Sequence, residues 1–194
     1  MTAALVVIDV QESFRARPLW EAVGDPGIAK PVQRLVDAAR AAGDLVVWVL
    51  HAEPGTGGVF DPASGHVRIF DELQARPGEP VLTKTAHNAF TTTNLQQQLT
   101  ERGIRDLVLC GMRTEQCVET TARVGSDLGF AVTFVTDATT TFPIPHWEAP
   151  ADLSVDDLLA DPRTLSVADV IARTEYALAG RFATVTSVQT LTGS

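Results

Sequence analysis

The chain has 194 residues, of which 45% are hydrophobic and 20% charged, and 15 basic against 24 acidic residues leave a formal net charge of −9. This size predicts one globular domain with a sizeable core, and an acidic chain without a Lys/Arg cluster argues against nucleic acid and anionic membranes as partners. No apolar run approaches the ~20 residues that span a bilayer, Asp9 and Glu12 interrupt the only early apolar run, and two cysteines do not form a disulfide framework. We therefore expect no signal peptide and a soluble, cytoplasmic protein with reduced thiols.

Predicted strands and helices alternate along the chain. Short apolar runs rich in β-branched residues are typical of strands buried on both faces, and they occur at residues 4–8, 45–50, 80–83, 107–111, 131–136 and 182–186. Helical spacing, caps and terminal glycines predict helices at residues 31–42, 91–102 (capped by a threonine), 115–128 and 166–179 (capped by Ser166), and a short helix at 67–75.

This alternation predicts an α/β fold in which helices cover both faces of a parallel sheet. The Gly/Pro-rich residues 53–64 are predicted to form a loop, and the acidic, proline-rich residues 142–162 an irregular excursion. Because the chain has no repeat and no internal boundary, residues 1–194 are predicted to form a single domain.

A strand, a tight turn and a helix start are predicted in the stretch LVLCGMRTEQCV, residues 107–118, with Cys117 at the helix start. The first N–H groups of a helix lack intrahelical partners and carry the positive end of its dipole. A thiol placed there is expected to ionise more easily and to act as a nucleophile, while the same N–H groups can hold an oxyanion. The alternative is a cysteine that only packs, which is our interpretation of Cys110 inside the apolar run.

Two distant charged residues also follow predicted strands: Asp9 the first and Lys84 the third. The carboxyl ends of parallel strands share one edge of the sheet, where α/β proteins place their chemistry. There an ammonium would favour the thiolate of Cys117, and a carboxylate could accept and return its proton. Taken singly, Asp9 could instead cap a turn and Lys84 could be an ordinary solvated residue.

Four motifs, VVIDVQESF, KTAHNAF, CGMRTEQCVETTA and VTDATTTF, resemble those of the isochorismatase-like cysteine hydrolases in order and separation. This superfamily includes nicotinamidases, N-carbamoylsarcosine amidases, ureidoacrylate and biuret hydrolases, and isochorismatases. The resemblance covers residues 5–191, with a longer segment at 142–162 as the departure. It implies a three-layer α/β/α fold around a six-stranded parallel sheet in Rossmann-like order.

The resemblance also implies roles for particular residues. Asp9, Lys84 and Cys117 take the places of the family's Asp–Lys–Cys triad. A cis peptide bond is implied between Met112 and Arg113, and the backbone N–H groups of Arg113 and Cys117 are implied to form an oxyanion hole.

Five further residues are candidates for the substrate pocket. Gln11 and Phe14 follow Asp9 in the family pattern and are expected to line or buttress the pocket. Trp48 and Phe90 are candidate pocket walls, with core packing as the alternative for both. Thr114, in the turn before Cys117, is the fifth candidate.

Histidines outside these motifs raise the question of a metal. The nicotinamidases of this superfamily bind a metal through an Asp-x-His pair and a further His after the second strand. Here that region has His51, Asp61 and His66 but no Asp-x-His, so we expect no metal and no other cofactor, with these three as the ligands of the alternative. His51 and His87 are otherwise expected to be ordinary surface or loop residues.

The sequence thus predicts a metal-independent cysteine amidohydrolase that cleaves a C–N bond of a small amide, carbamoyl or ureido compound through a thioester. Isochorismatases that cleave a vinyl ether lack the nucleophilic cysteine, so Cys117 favours C–N hydrolysis. The alternatives are a metal-containing nicotinamidase-like amidase and a non-catalytic, ligand-binding member of the family. The expected partners are the small-molecule substrate, water and further copies of the chain in a dimer or tetramer.

Overall fold

A computed structural model describes residues 3–193 and contains one six-stranded sheet, in the order β3-β2-β1-β4-β5-β6. Every pairing between its named strands is parallel. The strands are β1 Ala4–Ile8, β2 Leu45–His51, β3 Val81–Lys84, β4 Asp106–Met112, β5 Ala131–Thr140 and β6 Thr184–Thr186. The predicted six-stranded parallel sheet is therefore confirmed, and β5 runs four residues further than predicted.

Seven α-helices surround this sheet in the part of the chain that is described. They are α1 Glu12–Arg15, α2 Ala29–Ala42, α3 Leu95–Glu101, α4 Glu119–Asp127, α5 Val155–Ala160, α6 Val167–Leu178 and α7 Val188–Thr192. Side chains of α3, α4 and α6 pack against one face of the sheet, and those of α2 and α7 against the other. Successive residues of a strand point to opposite faces, so in β1 Val6 joins the first cluster while Leu5 and Val7 join the second. This is the predicted three-layer α/β/α arrangement.

The short helix predicted at residues 67–75 is wrong. Phe70 donates its N–H to Val10 and its side chain is fully buried, and Ile69 forms an isolated antiparallel bridge with Gln11. Backbone pairing with the segment that follows β1, together with burial of the Phe70 ring, outweighs the local helical pattern.

The helix predicted at residues 91–102 begins later than expected, because threonines hold the chain in a loop before it. The Thr92 hydroxyl accepts N–H groups from Thr85 and Ala86, and the Thr93 hydroxyl accepts that of Leu95. Threonine hydroxyls that bond nearby backbone compete with helix formation.

Three short helices were not predicted, and the first of them, α1, follows β1. Helix α5 lies inside the expected irregular excursion and α7 follows β6; their N-caps, Ser154 and Ser187, accept the N–H groups of Asp157 and Thr190. The predicted cap Ser166 is confirmed, since its hydroxyl accepts the N–H of Asp169. Among residues 3–193 we find no helix with the length and apolarity that a membrane crossing requires.

Candidate active site

The side chain of Lys84 contacts both other members of the expected triad. Its Nζ lies 2.8 Å from Oδ2 of Asp9 and 3.3 Å from Sγ of Cys117. Asp9 and Lys84 are fully buried, and Cys117 is 6% exposed. Residues from the ends of three strands thus form one contact group, as expected from their positions at the carboxyl edge of a parallel sheet.

The sheet order explains why these groups meet. Strands β3, β2, β1 and β4 are consecutive neighbours, so Lys84 at the end of β3 and Asp9 just after β1 converge on the turn that follows β4. Asp9 has a positive φ of 54°, a region that non-glycine residues seldom occupy. Gly111 of β4 has a φ of 121°, and a Cβ at that position would collide with the backbone of Ile8. Only glycine therefore lets β4 lie this close to β1 beside Asp9.

The turn before Cys117 has an unusual backbone. The peptide bond between Met112 and Arg113 is cis, and Thr114–Val118 form a single π-helical turn before α4 begins. The N–H groups of Gln116 and Val118 both donate to the carbonyl oxygen of Arg113. The N–H of Arg113 itself donates to no other residue within 3–193, so it is free to bind a substrate oxygen.

The expected activation of Cys117 by a helix start is not what the structure supports. Cys117 lies inside the π-helical turn rather than at the first residue of an α-helix. Burial, followed by the negative charge of Asp9, raises the pKa of the Cys117 thiol to about 12, and Lys84 only partly offsets these effects. Removal from water therefore outweighs the helix dipole and the nearby cation, and the thiol is protonated near neutral pH.

Burial and the charge of Lys84 also shift the pKa of the Asp9 carboxyl in opposite directions. Burial raises its pKa above the ordinary value, against the opposing effects of the Lys84 charge and of hydrogen bonds from Lys84 and the Cys117 thiol. Within residues 3–193 no hydrogen bond of regular geometry reaches either carboxylate oxygen, although Oδ2 lies 2.8 Å from Nζ of Lys84. The carboxylate is thus held by the charge of Lys84 and has hydrogen-bonding capacity left on both oxygens.

His51 also belongs to this contact group, although its sequence context predicts an ordinary surface or loop histidine. Its Nδ1 lies 3.4 Å from Nζ of Lys84, and its Nε2 lies 3.4 Å from Oε1 of Glu53. Burial first, and then the charge of Lys84, lower the pKa of His51, so its imidazole is neutral at physiological pH. The signal that could have identified it is its place at the end of β2, between the strands that carry Asp9 and Lys84.

Three of the five candidate pocket residues lie near this group, as supports. Gln11 is fully buried, and its side chain forms two hydrogen bonds with the backbone of His51. Its Nε2 donates to the His51 carbonyl at 3.0 Å, and its Oε1 accepts the His51 N–H at 2.7 Å. Thr114 is fully buried and donates to Thr139 at 3.0 Å. The Phe14 ring lies 5.0 Å from that of Phe60, which in turn lies 5.7 Å from His51.

The other two candidates belong to the core. Trp48 is 1% exposed in the cluster under α2, and its Nε1 donates to Glu79 at 2.8 Å. The Phe90 ring stacks on Phe130 at 5.8 Å in the opposite cluster. Both rings are therefore packed in the hydrophobic core, and a role in the substrate pocket stays a prediction for each.

The alternative metal ligands do not assemble into a donor set. The Asp61 carboxylate accepts the N–H groups of Gly57 and Ala63 and so closes its own loop, while His51 faces Lys84. Across residues 3–193 there is no group of three or more His, Cys, Asp or Glu side chains placed to hold a metal ion. His51, Asp61 and His66 therefore do not fit the metal that the nicotinamidase alternative requires.

The Arg113 side chain anchors the turn from the other side. Its Nη2 lies 3.0 Å from Oε1 of Glu115, and its Nε donates to Thr141 at 3.3 Å. Thr141 in turn donates to Glu115 at 2.6 Å. This network fixes the side chain of the residue that precedes the turn containing Cys117. A thiol, a carboxylate and an ammonium in one buried contact group are chemical groups that can carry out acyl transfer.

Comparison with known proteins places this arrangement in a family. The model of the isochorismatase domain matches residues 3–153. The secreted isochorismatase effector Isc1 of Verticillium dahliae is 34% identical over 148 residues, which are 76% of this chain and 77% of that protein. A streptothricin hydrolase of Streptomyces noursei is 37% identical over 144 residues, 73% of this chain but only 56% of that enzyme.

A crystal structure from Chromobacterium violaceum, assigned to the isochorismatase family of hydrolases, superposes with a TM-score of 0.86 at 26% identity. The superposition covers 99% of this chain and 92% of the Chromobacterium violaceum chain. The fold, the domain match and these relatives agree, and the chain belongs to the isochorismatase-like hydrolase superfamily.

Proposed function

We propose that this protein is a metal-independent cysteine amidohydrolase that cleaves a C–N bond of a small amide, carbamoyl or ureido compound. The observation that carries the proposal is the position of Lys84, whose Nζ lies 2.8 Å from Asp9 and 3.3 Å from Cys117 in a buried group. A lysine with a purely structural role would gain little from a contact with a thiol. The relative named as a streptothricin hydrolase supports a hydrolytic function.

The first half of the reaction forms a thioester. The sulfur of Cys117 attacks the substrate carbonyl carbon while the thiol proton passes to Asp9. The negative charge that develops on the carbonyl oxygen is held by the backbone N–H groups of Arg113 and Cys117. Asp9 then gives its proton to the leaving nitrogen, the C–N bond breaks, and ammonia or an amine departs.

The second half returns the enzyme to its starting state. Asp9 takes a proton from a water molecule, whose oxygen attacks the thioester carbon. The C–S bond breaks as the tetrahedral intermediate collapses, the thiolate regains a proton from Asp9, and the acid product leaves. Lys84 offsets negative charge on Asp9 and on the sulfur throughout both halves.

The two raised pKa values fit this proton exchange. Proton transfer is easiest when donor and acceptor have similar pKa values. Burial raises the pKa of Asp9, the proton acceptor. The difference between this pKa and the pKa of about 12 of Cys117, the proton donor, is therefore smaller. The thiol is thus a latent nucleophile that loses its proton to Asp9 as it attacks.

Other parts of the expectation are kept as proposals. We propose that residues 1–194 form a single domain of this kind and that copies assemble into a dimer or tetramer. A cytoplasmic location stays a prediction, since one relative is described as a secreted effector.

The test is a panel of purified small amides, carbamoyl compounds and ureido compounds, with ammonia release as the readout. We expect turnover of at least one of them by the wild type and none by Cys117→Ala at equal concentration. Substrate hydrolysis by Cys117→Ala at the wild-type rate would overturn the covalent mechanism. Absence of turnover across the whole panel would favour a non-catalytic, ligand-binding member of the family.

A further inference from the structure

A cavity is lined in part by the side chain of Arg113, the residue that precedes the turn containing Cys117. It has a volume of about 570 Å³ and is bounded by the chain after α1 and by residues 143–158. Its wall combines two arginines with apolar side chains, namely Arg17, Arg113, Leu19, Trp147, Leu153 and Leu158. No Asp or Glu is among its lining residues, although acidic residues outnumber basic ones in the chain. The cavity wall therefore carries two positive charges and the His146 imidazole, and the rest of its surface is a mixture of polar groups and apolar side chains.

The two arginines differ in what they bind. The guanidinium of Arg113 is occupied, since Glu115 and Thr141 both contact it. Within residues 3–193, Arg17 forms no ion pair and no side-chain hydrogen bond, and it is half-buried. Arg17 is also close to Arg113, because its charge adds to the effect of burial in lowering the pKa of Arg113.

A half-buried cation without a counterion is unfavourable, and it becomes favourable when an anion binds. The free guanidinium fork of Arg17 matches one carboxylate through two parallel hydrogen bonds. The leucine and tryptophan side chains of the wall would cover an apolar body attached to that carboxylate.

The cavity is joined to the candidate active site through Arg113. The side chain of this residue lines the cavity, while its free N–H lies in the turn that ends at Cys117. Arg113 thus connects the wall of the cavity to the turn that contains Cys117.

We propose that this cavity binds the carboxylate end of the substrate, with Arg17 as the pairing residue, so that the preferred substrates are amides that carry an apolar body and a distal carboxylate. This inference rests on the proposed function, because the amide end must reach Cys117. Arg17 acts in specificity and not in the chemical step.

The experiment uses monoamides of dicarboxylic acids, in which one end is an amide and the other a carboxylate. Succinamate, adipamate and suberamate provide increasing length, terephthalamate provides a rigid aromatic body, and the methyl ester of each replaces the carboxylate by an uncharged, slightly larger group. The values of kcat and KM are measured for the wild type, for Arg17→Gln and for the matched control Arg105→Gln. Arg105 is exposed and lies just before β4, at the opposite edge of the sheet.

We expect the wild type to favour at least one acid over its ester by about tenfold or more in kcat/KM, the size of one charged hydrogen-bond pair. In Arg17→Gln this preference should fall to near unity through a rise in KM for the acid. Arg105→Gln should keep the wild-type preference. Equal acid-to-ester ratios in the wild type and Arg17→Gln would overturn the inference while leaving the proposed function intact.

If none of these amides is hydrolysed, calorimetric titration with suberamate still decides the inference. Binding to the wild type that weakens about tenfold or more in Arg17→Gln would support the cavity as a carboxylate site, whereas the same affinity in both would overturn it. Light scattering tests whether the cavity is instead occupied by a second copy of the chain in a dimer. A wild-type dimer that dissociates in Arg17→Gln without a change in carboxylate binding would assign the cavity to self-association and overturn the proposal.

Discussion

Lys84 and Asp9 form an ion pair with an N–O distance of 2.8 Å in which both side chains are fully buried. Such a pair is a poor means of stabilising a protein, because removing two charges from water costs about as much as their attraction returns. A third group, the thiol of Cys117, lies 3.3 Å from the same ammonium. The pair is therefore better explained by chemistry at Cys117 than by stability of the fold.

The first prediction concerns the acid limb of the pH profile. The mechanism needs ionised Asp9, and burial raises the pKa of this carboxyl above the ordinary value of 3.8. The value of kcat/KM should therefore rise with pH through an inflection above 3.8. The pKa of His51 is lowered from its ordinary value of 6.5. An inflection above pH 6.5 could therefore not come from His51.

The matched control for the pH profile is His66→Gln, since the His66 side chain is exposed and, among residues 3–193, makes no ring contact with His51. This variant should keep the inflection where the wild type has it. An inflection at or below 3.8 would show that Asp9 is not the base.

A second prediction concerns Lys84. Lys84→Met keeps the length of the side chain and removes the charge, and it should lower kcat/KM beyond about a thousandfold at every pH. Lys84→Arg should be severely impaired as well, since the planar guanidinium is broader than an ammonium. Lys30→Met, which removes the exposed lysine of α2, is the control and should retain activity.

The same variant has a second readout in the thiol. Lys84 lowers the pKa of Cys117, so Lys84→Met should raise this pKa further and shift the alkylation rate of Cys117 to higher pH. Because the wild-type pKa is already about 12, alkylation by iodoacetamide should be slow near neutral pH. An identical rate profile in both proteins would mean that Lys84 does not act on the sulfur.

The sequence was most informative about strands and the residues just after them. The run ALVVI matches β1 residue for residue, because an unbroken apolar run bounded by a charged residue has few other ways to be buried. Since parallel strands present their carboxyl ends at one edge, the sequence also predicted that Asp9, Lys84 and Cys117 would lie close together. Their distances bear out this proximity.

Features that depend on tertiary packing were not predictable in this way. The sequence suggested an easily ionised Cys117, but burial is a property of the folded chain and it reverses the direction of the pKa shift. His51 gains its place only when β2 is inserted between β1 and β3. Trp48 is a candidate pocket wall by sequence, but the alternation of β2 places its side chain in the cluster under α2.

A third prediction separates the two cysteines. Cys117→Ala and Cys117→Ser should abolish turnover without unfolding the protein, which circular dichroism and a thermal melt would check. Cys110 is fully buried in β4, and burial raises the pKa of its thiol. Cys110→Ala should therefore keep its kcat and lose roughly 1 kcal/mol of stability. If Cys110→Ala lost turnover while its thermal melt stayed unchanged, Cys110 rather than Cys117 would be the nucleophile.

The fourth prediction concerns metal. Because His51, Asp61 and His66 do not form a donor set, activity should survive dialysis against a strong chelator, and His66→Ala should be as active as the wild type. Loss of activity on chelation that zinc, iron or manganese restores would instead support the nicotinamidase-like alternative.

The most direct test of the covalent mechanism is mass spectrometry of enzyme quenched with acid during turnover of a substrate from the amide panel. The mechanism predicts an adduct with the mass of the acyl group, located by peptide mapping on Cys117, absent from Cys117→Ala and removed by hydroxylamine, which cleaves thioesters. Turnover in the steady state with no acyl adduct on Cys117, or with the adduct on another residue, would contradict it.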